Sequence, residues 1–246
     1  MPSNKIFHLD RELKDCRWLA LTVVLLCAIA ADPCPILMSP EPYPSRSLGR
    51  GAFPTTDRVE PKVILCLGDS LTAGYGLDKS KAYPALLQQK IDRAGWNFQV
   101  INAGLSGETT AGGLRRVDWF LKRRIDVLIL ALGGNDALRG IPPDTTKKNF
   151  DEIMTRAQAK YPSVGIVISG MFIPPNWGAD YFNKFRAIFP DLAKKHKAQL
   201  IPFLLEGVGG KPQLNLSDGI HPTAEGHQIV AENVWKVLRP MLASMS

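Results

Sequence analysis

The sequence predicts an α/β protein, a doubly wound three-layer sandwich built on a five-stranded parallel sheet. Five short apolar runs are dominated by Val, Ile and Leu without strict alternation, which is typical of strands buried on both faces. Segments with helical spacing lie between the runs, and strands joined by helices run parallel. The length of 246 residues fits one such domain with additional segments.

The individual elements follow from these runs and spacings. The predicted strands are residues 63–67, 98–102, 127–132, 165–169 and 200–204. In three intervening segments, apolar residues three or four positions apart mark one face of a helix. These faces are Tyr83, Leu86, Leu87 and Ile91; Phe150, Ile153, Met154 and Ala157; and Val230, Val234, Val237, Leu238 and Met241.

Composition and charge narrow the class of protein. Apolar residues make up 45% and charged residues 22%, which excludes a largely disordered or collagen-like chain. A mean hydropathy of −0.04 excludes a polytopic membrane protein. The net charge of +7 comes from basic residues scattered along the chain without a cluster. We therefore expect no nucleic-acid partner, whereas transient contact with an anionic membrane surface is compatible with this charge.

The amino-terminal region resembles an export signal. Residues 18–31 form an uncharged apolar run that is too short to span a bilayer comfortably, since spanning takes about 20 residues. Arg17 precedes the run, and small residues at Ala28 and Ala30 fit a cleavage site. We expect a signal peptide within residues 1–30 and a periplasmic or secreted protein. A retained membrane anchor and an ordinary helix are the alternatives.

A proline-rich stretch separates this segment from the predicted domain. Seven prolines between residues 31 and 61 disfavour helix and sheet, so this stretch is predicted to be a poorly ordered linker. The predicted domain spans residues 62–246. Of the four cysteines, Cys66 lies in an apolar run and is predicted to be a small buried side chain. The cysteine and histidine spacings predict neither a metal site nor a disulfide framework.

Residues suited to nucleophilic acyl transfer stand at the predicted strand ends. Ser70 follows the first strand, and a serine needs a base to act as a nucleophile. His221, just before the last helix, can be that base, and Asp218 can hold its second ring nitrogen. The alternatives are a turn at Ser70 and capping or surface roles for His221 and Asp218. Their joint placement at one sheet edge favours the catalytic interpretation.

An oxyanion site is predicted from the same strand ends. A tetrahedral intermediate needs hydrogen-bond donors aimed at its negative oxygen. We expect these donors to be the Ser70 N–H, the Gly104 N–H and the Asn135 side-chain amide. Asn135 follows the third strand, and Gly104 allows close approach because it has no Cβ. Each residue also fits an ordinary turn.

Four blocks of the sequence resemble the SGNH (GDSL) hydrolases, in order. They are Gly68-Asp69-Ser70-Leu71, Gly104, Gly133-x-Asn135-Asp136 and Asp218-x-x-His221, within residues 62–242. The chain is most similar to the bacterial branch of thioesterase I, arylesterases and lysophospholipases. The resemblance implies the flavodoxin-like fold of that family, with Ser70 as nucleophile, His221 as base and Asp218 as its partner. Ser70, Gly104 and Asn135 would form the oxyanion hole, and no cofactor or metal would be needed.

The expected activity is hydrolysis of aryl and short to medium acyl esters, with lysophospholipids and acyl thioesters as further candidates. The partner is a small-molecule or lipid ester, and we expect a monomer. Carbohydrate or peptidoglycan O-acetylesterase activity and a non-catalytic binding module are the alternatives. Apolar residues after the third and fourth strands can wall an acyl groove. The predicted substrate contacts are Asp69, Leu71, Leu138, Ile141, Phe172 and Ile173.

Overall fold

The computed structural model describes residues 60–172 and 177–246. The predicted signal segment, almost all of the predicted linker and the four residues 173–176 lie outside these ranges. The described residues belong to one compact unit, Thr55–Ser246.

A parallel sheet of five strands organises this unit, with the strand order β2-β1-β3-β4-β5. The strands are β1 (Lys62–Gly68), β2 (Phe98–Gly104), β3 (Val127–Ala131), β4 (Gly165–Ser169) and β5 (Gln199–Ile201). The register places Gly68 of β1 beside Gly104 of β2 and Ala131 of β3, so these three strands end together. The predicted fold class is confirmed.

Every residue of the central strand β3 is buried, which indicates that helices cover both faces of the sheet. The helices are α1 (Ser70–Ala73), α2 (Tyr83–Arg93), α3 (Thr110–Phe120), α4 (Gly134–Leu138), α5 (Pro143–Lys160), α6 (Gly178–His196) and α7 (Ala224–Ala243). Helix α5 packs against both α3 and α6, whereas α2 packs against α7. These two groups form the outer layers of the sandwich.

The predicted helix faces point into the core, although Leu86, Val237 and Met241 are only partly buried. Helix α5 buries Phe150, Ile153, Met154 and Ala157 completely. Complete burial of a large apolar side chain contributes about 1.5–3 kcal/mol each, so these faces hold the layers together. Cys66 is also completely buried, as predicted, and burial raises the pKa of its thiol to about 12. It therefore stays protonated and behaves as a small apolar side chain.

The last strand is shorter than the sequence suggests. The apolar run 200–204 predicts a strand throughout, but β5 ends at Ile201. Pro202 follows, and proline has no N–H to donate to a neighbouring strand. The chain then turns, with the Leu204 N–H donating to the Gly170 carbonyl oxygen at 3.1 Å. Within residues 60–172 and 177–246, no helix is both long and apolar enough to cross a membrane.

Candidate active site

Ser70 occupies the first position of α1, directly beyond the end of β1. Asp69 begins this helix, because its Oδ1 accepts a hydrogen bond from the Leu71 N–H at 3.0 Å. Gly74 ends the helix after one turn, in a left-handed conformation with φ of 78°. The short helix therefore presents the Ser70 hydroxyl at the carboxyl edge of the sheet.

Ser70, His221 and Asp218 form one chain of hydrogen bonds. The Oγ of Ser70 lies 2.8 Å from Nε2 of His221, although 151 positions separate the two residues. The other ring nitrogen, Nδ1, lies 2.7 Å from Oδ2 of Asp218. The imidazole can thus take a proton from the hydroxyl while the carboxylate holds the ring.

Asp218 is bound by its own loop as well as by the imidazole. Its Oδ1 accepts hydrogen bonds from the backbone N–H of Ile220 at 2.8 Å and of His221 at 3.0 Å. The His221 N–H, the His221 ring and the Ile220 N–H together lower the pKa of Asp218 to about 2. The carboxylate is therefore charged throughout the pH range in which an enzyme is assayed.

Two further contacts hold His221 in place. Its backbone carbonyl oxygen accepts a hydrogen bond from the Leu216 N–H at 2.7 Å, which closes the loop that precedes α7. The ring centroid of Tyr75 lies 4.4 Å from that of the imidazole, with the planes inclined at 38°. These contacts limit the movement of the imidazole relative to Ser70.

Asn135 reaches the same place from the end of β3. The turn from β3 into α4 passes through Gly133, whose φ of 100° is tolerated by glycine alone. The Nδ2 of Asn135 lies 3.4 Å from Oδ2 of Asp69, so this carboxylate sits between α1 and α4. Burial raises the pKa of Asp69 to about 6, even though the Leu71 N–H, His221 and Asn135 all lower it.

The structure does not bring Gly104 to the cavity, so its predicted role as an oxyanion donor is wrong. Gly104 ends β2, and its N–H already donates to Oδ1 of Asn102 at 2.9 Å. A Cβ at Gly104 would lie 2.2 Å from the backbone nitrogen of Ala73, so this glycine serves close packing of β2 against α1.

Gly107, three residues later, lines the cavity in its place. Its φ is 77°, and in the described part of the chain its N–H has no hydrogen-bond acceptor. The Ser70 N–H likewise has none there. Sequence reasoning missed Gly107 because the same segment holds two glycines. The signal that could have identified Gly107 is its position three residues beyond the end of β2, where the chain has left the sheet.

A cavity of about 740 Å³ surrounds the Ser70 hydroxyl. Four of the predicted substrate contacts, Asp69, Leu71, Leu138 and Phe172, line it. Ile141 does not line it, and its carbonyl oxygen instead accepts the Tyr181 hydroxyl at 2.8 Å. Ile173 lies outside the described residues. Further apolar wall residues that the sequence did not single out are Tyr75, Phe203, Leu205 and Ile220.

Of the seven large apolar side chains that are exposed in the described ranges, four line this cavity, namely Tyr75, Leu138, Phe172 and Ile220. Leu138 is 63% exposed and Phe172 is 46% exposed, although both are large apolar side chains. The Phe172 ring lies 4.5 Å from that of Phe203, so the two form an aromatic wall. In the described ranges, no group of three or more His, Cys, Asp or Glu side chains is placed to hold a metal ion.

Comparison with known proteins identifies the family. Residues 66–229 match the GDSL-like lipase/acylhydrolase family. The chain is 38% identical to an arylesterase of Vibrio mimicus over 70% of this chain and 85% of the relative. It is also 38% identical to thioesterase 1/protease 1/lysophospholipase L1 of Escherichia coli K12, over 73% of this chain and 84% of the relative.

A solved structure agrees with these relatives. The crystal structure of TesA superposes with a TM-score of 0.69 at 37% identity, covering 73% of this chain and 99% of TesA. The match to the family spans well over half of the chain, and it includes Ser70, Asn135 and His221. The chain therefore belongs to the GDSL-like lipase/acylhydrolase family, the SGNH hydrolases, and is an enzyme that hydrolyses ester bonds.

Proposed function

We propose that the protein hydrolyses carboxylic esters through a Ser70–His221–Asp218 triad. The observation that carries this proposal is the hydrogen-bonded chain at 2.8 and 2.7 Å at the wall of the cavity. Ser70 attacks the acyl carbonyl carbon while Nε2 of His221 takes the hydroxyl proton. The charged carboxylate of Asp218 fixes the tautomer and stabilises the imidazolium that forms.

The oxyanion of the tetrahedral intermediate is stabilised by three donors. These are the Ser70 N–H, the Gly107 N–H and Nδ2 of Asn135, each on a residue that lines the cavity. One such donor typically lowers the barrier by about 2.7–4 kcal/mol, because it acts on charge that appears only in the transition state. The interaction of Nδ2 of Asn135 with the carboxylate of Asp69 keeps the amide nitrogen beside the residue that precedes Ser70.

The same imidazole completes the reaction. His221 returns its proton to the leaving alcohol or thiol as the tetrahedral intermediate collapses to an acyl-Ser70 ester. A water molecule then gives a proton to His221 and attacks the acyl carbonyl. The second collapse releases the carboxylic acid and restores the Ser70 hydroxyl. Asp218 stays ionised throughout, since its pKa is about 2.

The cavity favours aryl esters and short to medium acyl chains. Its wall includes Leu138, Met171, Phe172, Phe203 and Leu205, which provide apolar contact beyond the triad. Thioesters and lysophospholipids have the same reacting carbonyl and fit the same mechanism. A carbohydrate O-acetylesterase would need several polar groups for the sugar. Besides Asp69 and the catalytic groups Ser70, Asn135 and His221, only Tyr75, Ser106 and Asn215 bring polar side chains to this cavity.

We also propose that the protein is exported, as the apolar segment 18–31 suggests. Amino-terminal sequencing of the periplasmic fraction from a Gram-negative host tests this. A mature chain that begins close to Ala31 supports export. An intact Met1 on cytosolic protein contradicts it.

A substrate panel tests the proposed activity. We expect hydrolysis of p-nitrophenyl butyrate, phenyl acetate and hexanoyl-CoA, all abolished in Ser70→Ala. The matched control is Ser80→Ala, which alters an exposed serine whose N–H is bound by Asp78 rather than a serine in the cavity. Activity restricted to acetylated xylan or acetylated peptidoglycan would support the O-acetylesterase alternative.

A further inference from the structure

A solvent-exposed arginine lies beside the proposed oxyanion site. Arg139 follows α4, and its Nη2 donates to the Gly107 carbonyl oxygen at 3.0 Å. A Cβ placed on Gly107 would lie 3.7 Å from the same nitrogen. Gly107 and Leu138, the residue before Arg139, both line the cavity. The guanidinium group therefore lies at the edge of the cavity, within reach of a substrate bound there.

The charge of Arg139 has no carboxylate partner within 4 Å among the described residues. Two acidic residues close to Gly107 and Arg139 in sequence, Glu108 and Asp136, are both engaged elsewhere. Glu108 is buried and pairs with Arg116 at 2.6 Å. Asp136 is buried and accepts the Thr110 N–H at 2.8 Å. A guanidinium has five N–H donors, and the Gly107 carbonyl uses only one nitrogen of Arg139.

A second polar side chain lies at the residue before Gly107, the residue that Arg139 contacts. Ser106 lines the cavity, is exposed and directly precedes Gly107. In the described ranges its hydroxyl makes no hydrogen bond to another residue. The other polar side chains of the cavity wall that flank Ser70, namely Asp69, Asn135 and His221, are already hydrogen-bonded to one another or to the triad. The edge formed by Ser106 and Arg139 thus offers unused donors and an unbalanced positive charge.

We propose that Arg139 and Ser106 form an anion subsite that binds a phosphate group on the leaving alcohol or thiol of the substrate. The inference rests on the proposed function, because it assigns the leaving-group side of the same cavity. The paired rings of Phe172 and Phe203 suit the acyl chain, and in phosphorylated esters the phosphate is carried by the alcohol or thiol half, so the leaving group lies toward Arg139 in this arrangement. The planar fork of a guanidinium matches two phosphate oxygens, and a charged hydrogen bond is about twice as strong as a neutral one.

The chain provides a matched control for this arginine. Arg93, at the end of α2, is also exposed and forms no ion pair within the described ranges. Its Nε donates to the Gln89 carbonyl oxygen at 3.1 Å, and Arg93 does not line the cavity. Arg139→Gln and Arg93→Gln therefore change the net charge of the protein equally. Only the first removes a donor beside the proposed oxyanion site.

The test compares two soluble esters that differ only in the phosphate. They are 1-hexanoylglycerol 3-phosphate and 1-hexanoylglycerol, and the readout is the ratio of their kcat/KM values. We expect wild type to prefer the phosphorylated ester and Arg139→Gln to lower the ratio about 10- to 100-fold, the range of a hydrogen bond to a charged group. Arg93→Gln should keep the ratio within about twofold of wild type. Since the neutral ester is the denominator, a general loss of activity in either variant cancels.

A second pair of substrates identifies the source of the phosphate. Hexanoyl-CoA is compared with the hexanoyl thioester of N-acetylcysteamine. If Arg139→Gln removes a preference for the CoA thioester, the subsite binds the phosphate of a phosphorylated thiol. If the substitution removes a preference for the phosphorylated glycerol ester, the subsite binds a lipid headgroup. A wild-type ratio near one in both pairs, or equal ratios in the two arginine variants, overturns the subsite. Failure of folded wild type to hydrolyse any of the four esters overturns the proposed function instead.

Discussion

Replacing Asp218 by asparagine tests the role of the carboxylate with little change of shape. Oδ1 of Asp218 accepts two backbone N–H groups, at 2.8 and 3.0 Å. An asparagine can keep both of these bonds only with its own oxygen, since both partners are donors. Its NH₂ group must then face Nδ1 of His221, where Oδ2 of the aspartate lies at 2.7 Å. Nδ1 becomes the acceptor, and the ring proton moves to Nε2.

The protonated Nε2 would point at the Ser70 hydroxyl and could no longer take its proton. We therefore expect Asp218→Asn to lower kcat by about 10⁴, the effect of holding a catalytic histidine in the wrong tautomer. The assay is p-nitrophenyl butyrate hydrolysis, with thermal melting to show that the fold is intact. The control is Asp78→Asn, which alters an exposed carboxylate that binds the Ser80 N–H at 2.8 Å and removes the same charge. An Asp218→Asn variant that keeps more than about a tenth of kcat refutes the proposed role.

Two further predictions concern the oxyanion site and the stability of the fold. Asn135→Ala should lower kcat by about 10² to 10³ with little change in KM, because its amide acts on transition-state charge; a pure KM effect would make Asn135 a ground-state binding residue. Burial lowers the pKa of His227 to about 4, whereas an unfolded histidine titrates near 6.5. Between these values only the unfolded chain takes up the proton, so acidification should lower the free energy of unfolding, by roughly 3 kcal/mol at pH 4. His227→Asn, whose amide oxygen can replace Nδ1 as acceptor of the Tyr83 N–H at 3.3 Å, should flatten this part of the pH dependence in urea unfolding. Equal pH dependence in variant and wild type would contradict the assignment.

The sequence predicts the sheet well because its inner strands β1, β3 and β4 are apolar on both faces, but it predicts α3 poorly. Gly112 and Gly113 lie within this helix and interrupt its apolar spacing. A Cβ at Gly113 would lie 2.6 Å from Cδ1 of Leu132, so close packing of α3 against the end of β3 accounts for this glycine. Such an approach depends on tertiary structure, which local periodicity does not report.

Some residues of the candidate site can likewise be predicted from the sequence, whereas other features of the site depend on the fold. Ser70 and His221 follow from side-chain chemistry and from their placement at strand ends, and the structure brings them within 2.8 Å of each other. The choice between Gly104 and Gly107 depends on which N–H is already used, and only the fold shows that Asn102 uses that of Gly104. The burial that raises the pKa of Asp69 is likewise a property of the folded chain.

Covalent labelling tests the central claim most directly. A fluorophosphonate forms a stable bond to an activated serine and loses fluoride, so intact mass spectrometry reports one adduct for each reactive hydroxyl. We predict a single adduct on wild type, located at Ser70 by peptide mapping, with complete loss of esterase activity. Ser70→Ala should take up no label and lose at least about three decades of kcat while remaining folded. Labelling at another residue, or an active Ser70→Ala variant, would contradict the account.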